Sequence, residues 1–164
     1  MTNAERRIKF RQGLSTLYQP VYDALCAALP EEWAPFQGLR TVAAQDLLFA
    51  QGRVSPGPKV TNAKGGQSPH NYGCATDWTI FVGGQPVWLP RKDPQWAVYV
   101  AACIKAGARW GGDWNGNGVE DKSDFDRPHN ELSIECAWAQ VNLVLIKNGM
   151  RSAQEYIEER MTRR

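Results

Sequence analysis

The sequence has only two histidines, and it lacks the features that mark several other classes of protein. No apolar run approaches the roughly 20 residues of a membrane-spanning helix. No apolar stretch of signal-peptide type follows the first residues, MTNAERR. We therefore expect synthesis in the cytoplasm and no stable membrane insertion.

Charge and cysteine usage exclude two more classes. The net charge of +2 is too small to indicate a nucleic-acid partner. The four cysteines lack the close spacing of zinc knuckles or redox pairs; they are Cys26, Cys74, Cys103 and Cys136. A nucleophilic Cys74 would leave the nearby carboxylates Asp77 and Asp126 without a role, so we interpret the cysteines as packed thiols.

Both histidines lie in short segments that also contain an aspartate. His70 lies in the run SPHNYGCATD, which ends at Asp77, and His129 ends the run DRPH, which begins at Asp126. Two imidazoles and one carboxylate are what a catalytic zinc ion takes from a protein when its fourth position stays open. The two segments therefore predict a metal-dependent hydrolase, in which Asp126 remains available as the base that accepts a proton from water.

Chain geometry constrains how these residues could meet. A fully extended segment from His70 to Asp77 would span roughly 23 Å at about 3.3 Å per residue, which is too far for two ligands of one ion. We expect a chain reversal in which Asn71 and Gly73 adopt positive φ angles, followed by a strand over residues 75–82. Pro128 disfavours a helix, so His129 is expected on a turn entering a strand.

These segments together resemble the family of zinc D-alanyl-D-alanine carboxypeptidases and L-alanyl-D-glutamate endopeptidases, to which phage endolysins belong. The resemblance spans about residues 38 to 135. It is carried by Gln51-Gly-Arg53, residues 61–77, the motif WGGDW at 110–114, and residues 126–129. One departure is Asn130, where the family commonly has an aromatic residue before the glutamate, here Glu131. This difference concerns the lining of the pocket beside the zinc.

The resemblance implies a role for each candidate residue. His70, Asp77 and His129 would bind zinc, and Asp126 would be the general base. Arg40 would stabilise the substrate carbonyl or the oxyanion, although Arg53 is a nearby competitor and Arg40 could equally be an ordinary ion-pair partner. Gln45 also fits the family pattern, as a structural or substrate-side polar group.

The resemblance also implies a substrate, the stem peptide of peptidoglycan, cut between L-alanine and D-glutamate. A D-Ala-D-Ala carboxypeptidase is the alternative within the family. A non-catalytic, metal-stabilised binding module, as among hedgehog-type relatives, is the alternative from another class. If the protein is a phage endolysin with antimicrobial action in host cell lysis, it would reach the cell wall or periplasm from the host cytoplasm by a separate export route.

A second group of oxygen side chains has the spacing of a calcium-binding EF-hand loop. Its candidate ligands, with Gly118 at the sixth position, are Asp113, Asn115, Asn117, the Val119 carbonyl, Asp121 and Asp124. The last position has aspartate instead of the usual glutamate. Because Asp124 is two residues from Asp126, calcium could order the base; the alternative is a turn that binds no metal.

The order of predicted elements indicates the fold class. Apolar spacing predicts helices in the first thirty residues, with a kink or a second start at Pro20, then a helix capped by Thr41 and ended by Gly52. A hairpin at Gly83-Gly84 and three further helices follow, the last opened by a capping box at Ser152. We expect a monomeric α+β domain over residues 1–164, with a small antiparallel sheet surrounded by helices. The resemblance implies a hedgehog/DD-peptidase-like zinc peptidase fold.

Overall fold

The computed structural model describes residues 1–117, 120–121 and 126–161. Within these residues a five-stranded antiparallel sheet is surrounded by helices, in agreement with the expected α+β class. The helices are α1 (Asn3–Gln12), α2 (Gln19–Ala28), α3 (Val42–Ala50), α4 (Gln95–Ala106), α5 (Trp138–Asn148) and α6 (Met150–Glu159). The strands are β1 (Trp33–Gln37), β2 (Ala75–Val82), β3 (Gln85–Val87), β4 (Ala108–Trp110) and β5 (His129–Leu132).

The longest strand, β2, lies at the centre of the sheet. The order is β1-β2-β5-β4, and β3 forms a hairpin with the end of β2. Strand β5 joins β2 and β4, although more than forty residues separate it from β2 in sequence. The sheet therefore brings the two histidine-bearing segments side by side.

One face of the sheet packs against α2 and α4. Trp78 of β2 lies 5.5 Å from Tyr22 of α2 between ring centroids, and Trp33 of β1 stacks on Tyr99 of α4 at 5.2 Å. These four aromatic side chains are almost fully buried. Because side chains alternate along a strand, the neighbours of Trp78, including Asp77, point to the opposite face.

A buried polar network fixes β5 to this helical layer. Asn130 donates hydrogen bonds to the Thr76 carbonyl at 3.0 Å and to the Tyr99 hydroxyl at 2.6 Å, and it accepts one from Tyr18. Tyr99 in turn donates to the carbonyl of Pro128 at 2.6 Å. Asn130 therefore faces the core and not the pocket beside the histidines, so its difference from the family pattern concerns the core.

Several local expectations were wrong in detail. Helix α3 is capped by Thr41 but ends at Ala50, with Gln51 as the C-cap, and α6 begins after Gly149 and not at a capping box on Ser152. Of the two expectations for Pro20, the second helix start is confirmed, because Pro20 lies in the first turn of α2. Cys136 lies just before α5, and all four cysteines are free thiols, which agrees with their interpretation as thiols without a redox partner. Among the described residues, no helix is long and apolar enough to cross a membrane.

Candidate metal centre

Strand pairing places the first two candidate ligands next to each other. Asp77 of β2 lies directly opposite His129 of β5 in the register of the two strands. Directly opposite residues on antiparallel strands project their side chains to the same face, with Cβ atoms about 5 Å apart. Both side chains are buried. The pairing of β2 with β5 therefore builds two thirds of the predicted site.

A short 3-10 helix, Pro69–Tyr72, brings His70 to the same place. The reversal that follows depends on Gly73, whose φ is +66° and whose missing Cβ would lie 2.8 Å from the backbone of Ser15. Asn71 was expected to share this role, but it is helical. Its side chain instead accepts a hydrogen bond from Gly66 N at 2.9 Å and donates one to the Arg40 carbonyl at 3.0 Å.

Three ligand atoms from these residues form a small triangle. The distances are 3.2 Å from His70 Nε2 to His129 Nδ1, 3.0 Å from His129 Nδ1 to Asp77 Oδ1, and 3.3 Å from His70 Nε2 to Asp77 Oδ1. Ligand atoms at about 2.0–2.1 Å from a tetrahedral zinc ion lie about 3.3 Å from one another. The triangle thus matches one face of a zinc tetrahedron.

The hydrogen bonds of the outer imidazole nitrogens fix the tautomer of both histidines. His70 Nδ1 lies 2.8 Å from the carbonyl oxygen of Gly38, which can only accept, so Nδ1 carries the hydrogen. His129 Nε2 lies 3.0 Å from a carboxylate oxygen of Glu131 and donates in the same way. The inner nitrogen of each neutral ring then carries no hydrogen. Its lone pair faces the other imidazole and Asp77. Three converging buried lone pairs need a cation, so the donor set fits zinc.

The pKa values of Asp77 and His129 also reflect the close contact of these side chains. Burial by itself would raise the pKa of Asp77, but the charge and hydrogen bonds of His70 and His129 hold it well below its usual range. Burial by itself would lower the pKa of His129, but hydrogen bonds to Asp77 and Glu131 raise it to about 10. The site therefore strongly favours positive charge between these side chains.

Asp126 lies beside this triangle, at the turn that leads into β5. Its backbone carbonyl accepts a hydrogen bond from His129 N at 3.0 Å, and the residue is exposed to solvent. Loss of water around the carboxyl group nonetheless raises the pKa of Asp126, and the negative charge of Asp77 raises it further. The neighbouring Arg127 pairs with Glu120 at 2.6 Å. A carboxylate with a raised pKa beside a metal site suits proton transfer.

Arg40 also lies at the site. Its guanidinium is 3.9 Å from the second carboxylate oxygen of Asp77, and it donates to the side chain of Gln45 at 2.7 Å. Gln45 is fully buried and donates to the Ala63 carbonyl at 2.9 Å, so it connects Arg40 to the loop before His70. The competitor Arg53 instead donates to the Thr61 carbonyl and lies on the ring of Phe49.

Sequence reasoning gave no role to Glu131. This buried carboxylate accepts hydrogen bonds from His129 at 3.0 Å and from the indole of Trp138 at 3.2 Å, and Arg109 lies 3.4 Å away. A signal for it was present, since residues two apart on a strand share a face. Glu131 sets the ring orientation of His129 and the nitrogen that it presents to the metal.

Replacement of Glu131 by glutamine should weaken zinc binding. A carboxylate that holds the outer nitrogen of a histidine ligand typically improves metal affinity by about 10- to 100-fold, so we expect the zinc dissociation constant of E131Q to rise by about that factor. Competition with a chromogenic chelator measures this. The exposed E135Q variant is a matched control, and unchanged affinity in E131Q would contradict the orienting role.

The motif at residues 110–114 packs against the metal centre. Gly111 has no room for a side chain, because a Cβ there would lie 2.5 Å from the carbonyl oxygen of Asp126 and 2.8 Å from His129 Cβ. The indole of Trp114 lies 5.4 Å from the His129 ring between centroids. This segment therefore packs directly on the residues that carry the candidate base and one ligand.

Trp114 also belongs to the predicted calcium loop. Within that loop, the backbone N–H of Asn117 donates to side-chain oxygens of Asp113 and Asn115, both at 3.1 Å. Asp121 accepts from Trp114 N at 2.7 Å. Two of the predicted ligands, Val119 and Asp124, lie outside the described residues.

Comparison with known proteins agrees with this geometry. Residues 61–132 match the model of a family described as D-alanyl-D-alanine carboxypeptidase. The match covers less than half of the chain's 164 residues. The matched stretch contains all three atoms of the metal triangle and Asp126, and the metal of this family is zinc.

Two individual proteins are also similar to this chain. The chain is 36% identical over 103 residues to the peptidoglycan L-alanyl-D-glutamate endopeptidase CwlK of Bacillus subtilis (strain 168). That alignment covers 58% of each protein, so it spans less than two thirds of CwlK. A crystal structure of the Serratia marcescens L-Ala D-Glu endopeptidase ChiX superposes with a TM-score of 0.50 at 21% identity, covering 81% of this chain and 90% of ChiX. The likeness to ChiX therefore shows that the two proteins share a fold.

Proposed function

We propose that this protein is a zinc metallopeptidase that hydrolyses peptidoglycan stem peptides between L-alanine and D-glutamate. The observation that carries the proposal is the buried triangle of His70, Asp77 and His129 with Asp126 at its edge. The choice of bond is supported by the names of the two relatives, both L-alanyl-D-glutamate endopeptidases. The runner-up, a D-Ala-D-Ala carboxypeptidase, is favoured by the description of the matched family.

In this proposal His70, Asp77 and His129 hold the zinc ion. When bound, zinc acidifies water and polarises a carbonyl group. Asp126 accepts the proton of the attacking water and passes it to the nitrogen of the leaving amine. Arg40, fixed by Gln45 and close to Asp77, stabilises negative charge on the substrate oxygen.

The cleaved bond can be identified directly. Purified muropeptides with a complete stem would be incubated with the zinc-loaded protein and analysed by mass spectrometry. The proposal predicts release of a peptide that begins with D-glutamate and leaves L-alanine on the muramic acid. Loss of only the terminal D-alanine would establish the carboxypeptidase instead, and no cleavage would reject both. A chelator-treated sample is the control.

The biological setting is a further part of the proposal. We infer a phage endolysin, made in the host cytoplasm and acting on the cell wall during host cell lysis, with antimicrobial action on exposed walls. The supporting observation is the resemblance of the histidine segments to the zinc peptidase family that includes phage endolysins. Addition of the purified protein to intact and to outer-membrane-permeabilised bacteria would test whether it requires a separate route to the wall.

Calcium regulation is also proposed, for the loop that begins at Asp113. Its support is the EF-hand spacing, the convergence of Asp113 and Asn115 oxygens on one backbone N–H, and the contact of Trp114 with His129. Calcium would order this segment against the metal centre. We expect zinc-loaded protein to cleave peptidoglycan several-fold faster with calcium than without. Loss of that response in D113A would support the role, and equal wild-type rates in both conditions would reject it.

A further inference from the structure

A cavity adjoins the metal centre at Asp126. Its volume is about 250 Å³, and its lining comes from β2, the segment after β3, α4 and the turn before β5. The lining residues are Thr79, Trp88, Leu89, Arg91, Trp96, Asp126, Arg127 and Pro128. Drug-sized ligands fill pockets of about 300 to 1,000 Å³, so this smaller cavity suits one residue of a peptide.

The position of Asp126 indicates which side of the cut peptide bond lies in the cavity. In the proposed reaction, which this inference assumes, Asp126 returns its proton to the nitrogen of the leaving amine. The residue that contains this nitrogen must therefore lie on the Asp126 side of the metal centre. Because Asp126 also lines the cavity, the cavity lies where the residue after the cut bond is bound.

One wall of the cavity is apolar and held in place. The indole of Trp88 is 66% exposed, so it is available to a ligand, and an edge contact with Phe36 at 5.1 Å fixes it. Trp96 is buried and donates to the carbonyl of Pro90 at 3.0 Å. Such a wall suits the short methylene chain of an amino acid, because aromatic faces bury aliphatic groups well.

Arg91 and Arg127 contribute positive charge to the same cavity. Glu120 pairs with both, closely with Arg127 at 2.6 Å and at the longer distance of 3.9 Å with Arg91. The side chain of Arg91 is 52% exposed. The guanidinium of Arg91 carries several N–H donors in a planar fork, so it can bind a ligand carboxylate in addition to Glu120.

We propose that this cavity is the subsite for the residue after the cut bond, and that Arg91 recognises the free α-carboxylate of that residue. In a stem peptide the D-glutamate is linked onward through its side-chain carboxyl, so its α-carboxyl group is free as a carboxylate or blocked as an amide. The carboxylate attracts the guanidinium and the amide does not. Arg91 thereby makes the enzyme selective for the unamidated stem.

The test compares two synthetic stem peptides that differ only at this group, an α-carboxylate and an α-carboxamide. We expect wild type to favour the carboxylate by about 10-fold in kcat/KM, since a charge-assisted hydrogen bond is about twice as strong as a neutral one. In R91Q the preference should fall below about 2-fold, mainly through a higher KM for the carboxylate peptide. Lys92, exposed one residue away and outside the lining, supplies the control K92Q, which should keep the preference.

Trp88 provides a second variant with a different signature. W88A should raise KM for both peptides and leave their ratio unchanged, because the apolar wall contacts the chain that the two peptides share. Thermal melting confirms folding of each variant. Equal preference in wild type and R91Q would overturn the subsite while the proposed function stands. Failure of wild type to cut either peptide would overturn the proposed function, and the subsite with it.

Discussion

Replacement of His70 by alanine is expected to abolish both zinc binding and peptidoglycan hydrolysis. His70 supplies one of the three converging ligand atoms, and its ring is buried against Asp77 and His129. A metal ion acting as a Lewis acid contributes several kcal/mol to the transition state. Loss of about 4 kcal/mol corresponds to a rate reduction of about 10³-fold.

Two measurements on the same samples check this expectation. Release of soluble muropeptides from purified walls gives the rate, and elemental analysis gives the zinc content per chain. Wild type treated with a chelator should behave like H70A and recover when zinc is added back, whereas H70A should not recover. Undiminished hydrolysis by metal-free wild type would refute a zinc mechanism. Circular dichroism separates loss of metal from loss of fold, since metal binding and folding are coupled.

Replacement of Asp126 by asparagine should remove activity and leave zinc in place. Asparagine has nearly the same shape as aspartate but cannot accept the proton, and general acid–base catalysis contributes about 10²- to 10⁴-fold. We expect kcat to fall by a factor in that range. The residue is exposed and is not part of the metal triangle, so zinc content and melting temperature should stay close to those of wild type.

This variant also separates an enzyme from a metal-stabilised binding module. A binding module would retain its function in D126N and would unfold when a zinc ligand is removed. The control is D23N, which removes an exposed carboxylate paired with Arg11 at 2.7 Å, far along the chain from the site residues. We expect D23N to keep wild-type rates, and a fully active D126N would exclude Asp126 as the base.

Local sequence signals predicted the elements on which the site depends. The alternation over residues 75–82 gave β2 with its observed bounds, and Pro128 predicted that His129 would enter a strand from a turn. Gly73 was correctly expected to have a positive φ. These features depend on the conformational preferences of a few adjacent residues, so a local pattern is sufficient to predict them.

The less regular elements were missed for a physical reason. Strands β1 and β4 have five and three residues, and neither carries a strong alternating pattern. They form because β2 and β5 offer unpaired edges, which is a property of the assembled sheet and not of the short segments themselves. Asn71 was misassigned because its role is to hydrogen-bond residues near Arg40, thirty positions away in sequence.

The sequence by itself determined the candidate metal ligands and the candidate base of this protein, because only two histidines are present and each is close in sequence to an aspartate in a segment of specific residue order. It also determined the α+β class through the order of periodic segments. Only the tertiary structure decided how those groups act together. The pairing of β2 with β5 sets Asp77 against His129, Glu131 and the Gly38 carbonyl fix the two imidazole tautomers, and Asn130 faces the core. These arrangements depend on contacts between residues far apart in the chain, whose geometry no local pattern contains.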